Sequence, residues 1–329
     1  MKVDISHGKY KNVDALLMAS DTLVLTIIPQ SGAKIQSIYD KNRQKEILFQ
    51  SDRSEFRKVS YGAKFESGDV SGFDEVFPSI EECFYPGAPW LGTVVPDHGE
   101  IWALSWDYDV TDSSIVLSIH GVRFPYQIVK KIEFLRDNCI RLSYAASNLS
   151  DFDFDFIWCP HPLFVCDENT RVVLPASVKQ VVSTCALENK LGKYGSVHSW
   201  PVTKTETGEP YDIADVMHPQ YADKCEKFYA LNQSLEGWCA LHNMLSGDVI
   251  GLSYPSEKLP YLGVWEGIIN DRYVAALEPV TGALDRLDIA KLAGRTSVIK
   301  AKLQYEWFLN LTFEKVTEIN DIDRDGYIT

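Results

Sequence analysis

Residues 126–144, YQIVKKIEFLRDNCIRLSY, carry the pattern that decides the fold class. Polar and apolar side chains alternate through residues 131–134 and again through residues 140–144, which is the period of a strand with one buried face. Asp137 and Asn138 stand between the two runs, and both residue types favour tight turns. The stretch therefore predicts an antiparallel β-hairpin with one polar face.

Similar runs recur along the whole chain, and short turn sequences separate them. We predict strands at residues 23–29, 34–39, 115–120, 126–135, 139–147, 171–174, 238–244, 249–254, 261–265, 273–277 and 297–313. Helical patterns are few, and we expect short helices at 54–58, 221–228 and 288–292. Many short strands at close spacing predict an all-β sandwich or barrel.

No repeat or Pro/Gly-rich linker divides the 329 residues, so we predict a single domain over 1–329. Residues 183–233 form a polar, loop-rich excursion, which is either a functional loop such as a lid or a surface insertion. Residues 316–329 form an acidic C-terminal tail. Its Asp321, Asp323 and Asp325 resemble half of a calcium loop without the closing glutamate, so we expect a solvated tail.

Composition excludes several classes of partner. The net charge is −14, with 46 acidic against 32 basic residues, which disfavours nucleic acid and anionic membranes as partners.

The cysteines and the N-terminal residues indicate the compartment. The seven cysteines are odd in number and form no C-x-x-C pair, which favours unbridged thiols in a reducing compartment. Residues 1–17 lack the apolar core of a signal peptide, and no run reaches the length of a membrane helix. We expect a cytoplasmic monomer or homodimer whose partner is a small molecule.

Three short motifs carry groups suited to proton transfer: Asp97-His98-Gly99-Glu100, His161-Pro162-Leu163-Phe164 and Leu277-Glu278-Pro279. Histidine changes charge near neutral pH, and a partly buried glutamate can be tuned toward it. Prolines on both sides stiffen the backbone at His161. Glu278 ends an apolar run, where a carboxylate is costly to bury without a partner.

The residues alone leave two other chemistries open. His98 and Glu100, two positions apart on a strand, would share a face and could form a metal triad with His161. Glu75 and Glu278 could instead act as the carboxylate pair of a glycosidase.

Four motifs in order, at residues 72–80, 97–100, 158–164 and 276–282, resemble the aldose 1-epimerase (galactose mutarotase-like) superfamily. The resemblance covers roughly residues 20 to 315. It implies a β-supersandwich fold and the interconversion of the α and β anomers of a free sugar, with no metal and no cofactor. It also implies that His161 protonates the ring oxygen, that Glu278 takes the proton of the C1 hydroxyl, and that His98 orients the substrate.

The resemblance also guides the expected sugar contacts. Many members carry an arginine in the segment that is 66–75 here, and this chain has none. The lack of a basic cluster favours a neutral sugar over a hexose 6-phosphate. A non-catalytic sugar-binding protein, or a metal-dependent or hydrolytic sugar enzyme, remains the alternative. We expect substrate contacts from Asp74, Glu75, Glu100, Trp265 and Phe164.

Overall fold

The computed structural model describes residues 1–185, 190–216 and 225–329. These residues form 27 strands, one α-helix (α1, Leu287–Leu292) and two 3-10 helices, Phe65–Ser67 and Ile101–Ala103. In chain order the strands are β1 Asp4–Tyr10, β2 Val13–Ala19, β3 Leu23–Ile28, β4 Lys34–Asp40, β5 Lys45–Glu46, β6 Phe73–Val76, β7 Cys83–Phe84, β8 Val94–Val95, β9 Asp107–Val110, β10 Ser114–His120, β11 Tyr126–Arg136, β12 Cys139–Asn148, β13 Phe154–Phe156, β14 Cys159–Pro162, β15 Phe164–Val165, β16 Thr170–Val173, β17 Gln180–Cys185, β18 Val197–Ser199, β19 Val202–Lys204, β20 Pro210–Asp212, β21 Cys225–Ala230, β22 Trp238–Asn243, β23 Asp248–Ser253, β24 Tyr261–Ile269, β25 Arg272–Val280, β26 Ser297–Ile299 and β27 Gln304–Lys315. The all-β prediction is confirmed.

The predicted hairpin is formed by β11 and β12, which pair antiparallel from Tyr126 opposite Asn148 onward. Every second residue of β11 is buried from Tyr126 to Phe134, as the alternation predicts. Lys130 occupies one of these buried positions and is completely inaccessible to solvent. Its charge is compensated by Glu75, whose Oε1 lies 2.8 Å from the Lys130 Nζ. A lysine therefore takes a place that the pattern alone assigns to an apolar residue.

The chain divides into two compact units, each made of two segments. Unit 1 comprises Met1–His161 and Thr281–Phe308. One of its sheets has the strand order β1-β2-β3-β4-β6-β14, with β5 on β4, and another runs β12-β11-β10-β9. Aromatic side chains fill part of its core: Phe77, Tyr85, Phe124, Tyr126, Phe154 and Phe156 are all buried.

Unit 2 comprises Pro162–Val280 and Leu309–Thr329. Its main sheet has the order β15-β25-β24-β21-β17-β18, and β16, β22 and β23 pair in a second one. The second half of β27 continues that second sheet beside β23. The single domain over 1–329 stays a prediction.

The excursion at 183–233 contains strands in its described part, namely the end of β17, then β18 to β20, and β21. It also supplies core residues. Lys190 is buried with its Nζ 2.5 Å from Oε1 of the buried Glu226. The Tyr211 hydroxyl donates to the other oxygen of Glu226 at 3.1 Å. These contacts anchor the described part of the excursion in unit 2.

Several local predictions differ from the structure. Residues 54–58 contain no helix, and the run 297–313 is interrupted between β26 and β27. Lys302 adopts a left-handed φ of 58° in that interruption, which breaks the strand. Half of the predicted helix 221–228 lies outside the described residues, and residues 225–228 belong to β21. The predicted helix at 288–292 is confirmed by α1.

The C-terminal tail is not simply solvated, which corrects our expectation. Ile322 is buried against Trp238, Ala240 and Val249 of unit 2. The Asp323 carboxylate accepts the backbone N–H groups of Asp325 and Tyr327, each at 2.9 Å. The aspartate-rich motif therefore builds a tight turn from its own backbone. No helix within the described ranges is long and apolar enough to cross a membrane.

Candidate functional site

The His98 motif forms a turn between β8 and the second 3-10 helix, not a strand. His98 has a φ of 57° and Gly99 a φ of 70°, both in the left-handed region. The backbone is held on both sides, since the His98 N–H donates to the Ile80 carbonyl at 2.7 Å and Glu100 N–H to the Phe77 carbonyl at 2.8 Å. A Cβ on Gly99 would lie 2.0 Å from the Phe77 oxygen, so only glycine fits there.

The ring of His98 is fixed by an aromatic and an acidic neighbour. It stacks on Phe65 with a centroid distance of 4.1 Å and an interplanar angle of 7°. Its Nδ1 lies 3.1 Å from Oδ1 of Asp97, whose Oδ2 accepts the Phe65 N–H at 2.8 Å. Because the carboxylate accepts a hydrogen bond from Nδ1–H, a neutral ring presents Nε2 as its acceptor.

Asp97 is held in its charged form by this arrangement. Burial alone would raise the pKa of the Asp97 carboxyl. The hydrogen bond and charge of His98, with the Phe65 N–H and the Lys64 ammonium, outweigh burial and lower that pKa below its ordinary 3.8. Asp97 is therefore suited to orient His98 and to stabilise its imidazolium form.

His161 lies close to His98 in unit 1. It stands on β14, which neighbours β6 in the first sheet. Its ring meets Phe65 edge-on at 5.4 Å, and it lies 5.6 Å from the His98 ring. Phe65 thus contacts both histidines, and Trp102 packs against Phe65 at 5.3 Å. Phe65 belongs to a 3-10 helix upstream of both motifs, and no sequence pattern points to its contact with the two histidines.

The acidic residues that we expected at sugar hydroxyls are buried in internal contacts. Asp74 pairs with Lys34 at 2.8 Å, and Glu75 pairs with Lys130 at 2.8 Å and accepts the Tyr144 hydroxyl at 2.5 Å. Within unit 1 the first pair joins the neighbouring strands β4 and β6, and the second joins β6 to β11, which belongs to another sheet. This placement makes Asp74 and Glu75 part of the scaffold near the histidines, and it does not expose either as a ligand.

Glu100 is likewise enclosed. Its carboxylate is fully buried and accepts hydrogen bonds from four donors: the Tyr61 hydroxyl at 2.5 Å, the Tyr126 hydroxyl at 2.8 Å, and the N–H groups of Arg123 at 2.9 Å and Val122 at 3.1 Å. The turn at His98 also breaks the strand alternation on which the proposed metal triad depended. The geometry thus does not bring Glu100 and His98 together as ligands.

In unit 2, Glu278 is fully buried on β25 beside a lysine. Register places Glu278 opposite Gly263 and Lys227 opposite Trp265, so these side chains share one face of the sheet. The Lys227 Nζ lies 2.7 Å from Oε2 of Glu278, and both side chains are nearly inaccessible. The sequence analysis noted that Glu278 would be costly to bury without a partner. Lys227 is that partner, and its charge offsets the cost of burying the carboxylate.

Two further features define this face of unit 2. A Cβ on Gly263 would approach Oε2 of Glu278 to 3.2 Å and the Tyr229 ring to 2.9 Å, so the glycine leaves room for the carboxylate. Trp265 is partly buried there, and its indole N–H donates to the Cys225 sulfur. The position of Lys227 on the Trp265 face follows from the pairing of β21 with β24, which leaves no local signal in the sequence.

Phe164 is not brought together with Trp265. Phe164 lies opposite Ala275 of β25, whereas Trp265 lies opposite Ala276. Successive residues of a strand point to opposite faces, so Phe164 lies on the face away from Trp265 and Glu278. Its side chain is fully buried. Phe164 is therefore a core residue of unit 2, a placement that does not suit the substrate contact that we expected of it.

Solved structures share this fold. A galactose mutarotase-like protein from Lactobacillus casei superposes with a TM-score of 0.67 over 91% of this chain and 100% of its own, at 17% identity. A Klebsiella pneumoniae protein provisionally named an aldose 1-epimerase gives a TM-score of 0.73 over 96% of this chain and 83% of its own, at 15% identity. The chain has the galactose mutarotase-like fold.

A Clostridium acetobutylicum galactose mutarotase-like protein gives a TM-score of 0.66 over 96% of this chain and 99% of its own, at 14% identity. No family model and no curated protein matches the chain in sequence. At these identities the similarity establishes the fold alone. The fold predicted from the four motifs is thus confirmed.

Proposed function

We propose that this protein is an aldose 1-epimerase that interconverts the α and β anomers of a free neutral sugar by acid–base ring opening. The observation that carries the proposal is the pair of histidine rings, 5.6 Å apart and both in contact with Phe65. One of them is oriented by the charged Asp97. A mutarotase needs such fixed proton carriers and little else, and the shared fold raises the expectation of this chemistry.

The proposed reaction moves one proton off the sugar and another onto it. Glu278 takes the proton of the C1 hydroxyl while His161 delivers a proton to the ring oxygen. The bond between C1 and the ring oxygen breaks, and C1 becomes an aldehyde. Rotation about the C1–C2 bond and reversal of both transfers give the other anomer. Concerted transfer avoids a charged sugar intermediate, and His98 orients the reacting oxygens through Nε2.

Lys227 has a defined part in this proposal. A lysine ammonium 2.7 Å from the carboxylate keeps Glu278 ionised, which a base must be before it accepts a proton. The same contact lowers the carboxylate's basicity. That observation favours a second candidate, a non-catalytic sugar-binding protein in which Glu278 only accepts hydrogen bonds from sugar hydroxyls.

The remaining assignments follow from chemistry. Trp265 offers an aromatic surface for the apolar face of a sugar on the side of the sheet that carries Glu278. Asp74, Glu75 and Glu100 support the strands and turns around the histidines. The seven unbridged cysteines fit the cytoplasmic location that we propose.

Proton NMR exchange spectroscopy on a set of neutral aldoses tests the proposal against its alternative. The expected result is faster exchange between the two anomeric signals at catalytic protein concentration, unchanged by EDTA. Methyl glycosides of the same sugars serve as controls, since they can bind but cannot open. Saturable binding of the free sugars without faster exchange would contradict the enzyme and support the binding protein.

A further inference from the structure

Two cysteines lie side by side on the face of unit 2 that carries Lys227. Strands β17 and β21 are antiparallel neighbours, and a bulge between Ser183 and Cys185 brings Cys185 opposite Lys227. The Sγ atoms of Cys185 and Cys225 lie 3.6 Å apart, within hydrogen-bond distance. Both residues are partly buried, and they carry no disulfide.

The surroundings activate one thiol of the pair. The hydrogen bond from Cys185 is the main cause that lowers the pKa of Cys225 to about 7, against the opposing effect of burial. The indole N–H of Trp265 and the charge of Lys227 lower that pKa further, while Glu226 raises it. A large share of Cys225 is then thiolate at neutral pH, and the thiolate is the reactive form.

The other five cysteines differ from this pair. Cys83, Cys139, Cys159 and Cys239 are buried, and Cys166 is partly buried. Burial raises the pKa of the Cys83 and Cys239 thiols. Cys185 and Cys225 differ from these five because their sulfurs are in contact and the pKa of one of them, Cys225, is lowered.

We propose that Cys185 and Cys225 form a reversible dithiol–disulfide site whose oxidant is a small organic disulfide. The Cys225 thiolate attacks one sulfur of the oxidant, so a mixed disulfide forms and one thiolate leaves. Cys185 loses its proton to solvent and attacks the Cys225 sulfur, which releases the second thiolate. The two cysteines lose two electrons, and the organic disulfide gains them.

The geometry suits this closure. A disulfide joins its sulfurs at about 2.05 Å, so the 3.6 Å separation must shorten by about 1.5 Å. Rotation about side-chain torsions supplies a movement of that size. The two residues are 40 apart in sequence, so the bond would close a long loop and stabilise the folded chain. The site does not depend on the proposed epimerase activity.

Reaction of the reduced full-length chain with oxidised glutathione tests the proposal. Peptide mapping by mass spectrometry should find one internal Cys185–Cys225 link, reversed by dithiothreitol, and a raised thermal midpoint. Cys185→Ser should instead retain glutathione on Cys225, while Cys166→Ser should behave as the native chain. Wild-type protein that accumulates glutathione on Cys225 without the internal link would overturn the proposal.

The pH dependence of alkylation gives a second test that needs no oxidation. Iodoacetamide should modify Cys225 with a midpoint near pH 7 in the native chain. The midpoint should move toward the ordinary thiol value of 9.0 in Cys185→Ala, because alanine cannot donate the hydrogen bond that Cys185 gives. Identical profiles in the two proteins would show that the sulfurs do not interact and would overturn the proposal.

Discussion

At the scale of single residues, the turn at His98 depends on the absence of a side chain at position 99. Gly99→Ala places a methyl group 2.0 Å from the Phe77 oxygen at a left-handed φ. We expect about 1–3 kcal/mol of destabilisation from the clash, besides about 1–2 kcal/mol from the backbone conformation. Gly62→Ala is the matched control, since Gly62 has a φ of 77° with nothing near its Cβ position. Urea unfolding measures the loss of stability in each variant. Equal losses in Gly99→Ala and Gly62→Ala would contradict the clash with Phe77.

The Lys227–Glu278 pair makes a second prediction at this scale. Lys227→Met leaves the buried carboxylate without the ammonium, and we expect a loss of about 3–5 kcal/mol in the free energy of unfolding. The double variant Lys227→Met/Glu278→Leu removes both charges and should recover most of that loss. Chemical denaturation measures the free energy of unfolding of the native chain and of both variants. A double variant as unstable as Lys227→Met would show that the charges are not coupled.

Asp97 gives a prediction in the acid range. Its pKa is lower in the folded state than the ordinary 3.8, so it stabilises the fold above pH 3.8, and this contribution is lost as pH falls through the folded-state pKa. Asp97→Asn should be less stable than the native chain at pH 6. The difference between the urea midpoints of the two proteins should shrink by pH 3. A constant difference across that range would contradict the lowered pKa.

Some residues of the candidate site could be named from the sequence and others could not, for physical reasons. His98, His161 and Glu278 stand in short motifs with local cues, namely glycine, flanking prolines and the end of an apolar run. Phe65 and Lys227 act through tertiary contacts, and pairing between distant strands leaves no local signal. Asp74, Glu75 and Glu100 looked available because their lysine, tyrosine and backbone partners are remote in sequence.

At the scale of elements, alternation located most long strands, and the failures occurred where contacts override composition. The tail is an example, because its polar sequence conceals the apolar contact of Ile322.

The buried Ile322 makes a prediction at this scale. We expect Ile322→Ala to lower the free energy of unfolding by about 2–5 kcal/mol, because it leaves a cavity against Trp238 and Val249. Tyr327→Ala, at a side chain 51% exposed in the same turn, should change stability little. Thermal unfolding compares them, and equal effects would mean that the tail is not anchored through Ile322.

At the scale of the whole molecule, four motifs in order predicted the fold, although overall identity to the Lactobacillus casei and Klebsiella pneumoniae structures of this fold is only 15–17%. Gly99, in the second of these motifs, occupies a position where the backbone geometry admits only glycine. The arrangement of the chain as two discontinuous units was not predicted, because no linker marks where the segments meet.

The central claim is that fixed proton carriers open a sugar ring, and polarimetry of freshly dissolved α-D-glucose and α-D-galactose tests it most directly. The account predicts that wild-type protein accelerates the change in rotation of at least one sugar. His161→Asn and Glu278→Gln should each lower that rate about 10²-fold or more while sugar binding persists. Acceleration that survives both substitutions, or none with either sugar despite saturable binding, would contradict the account.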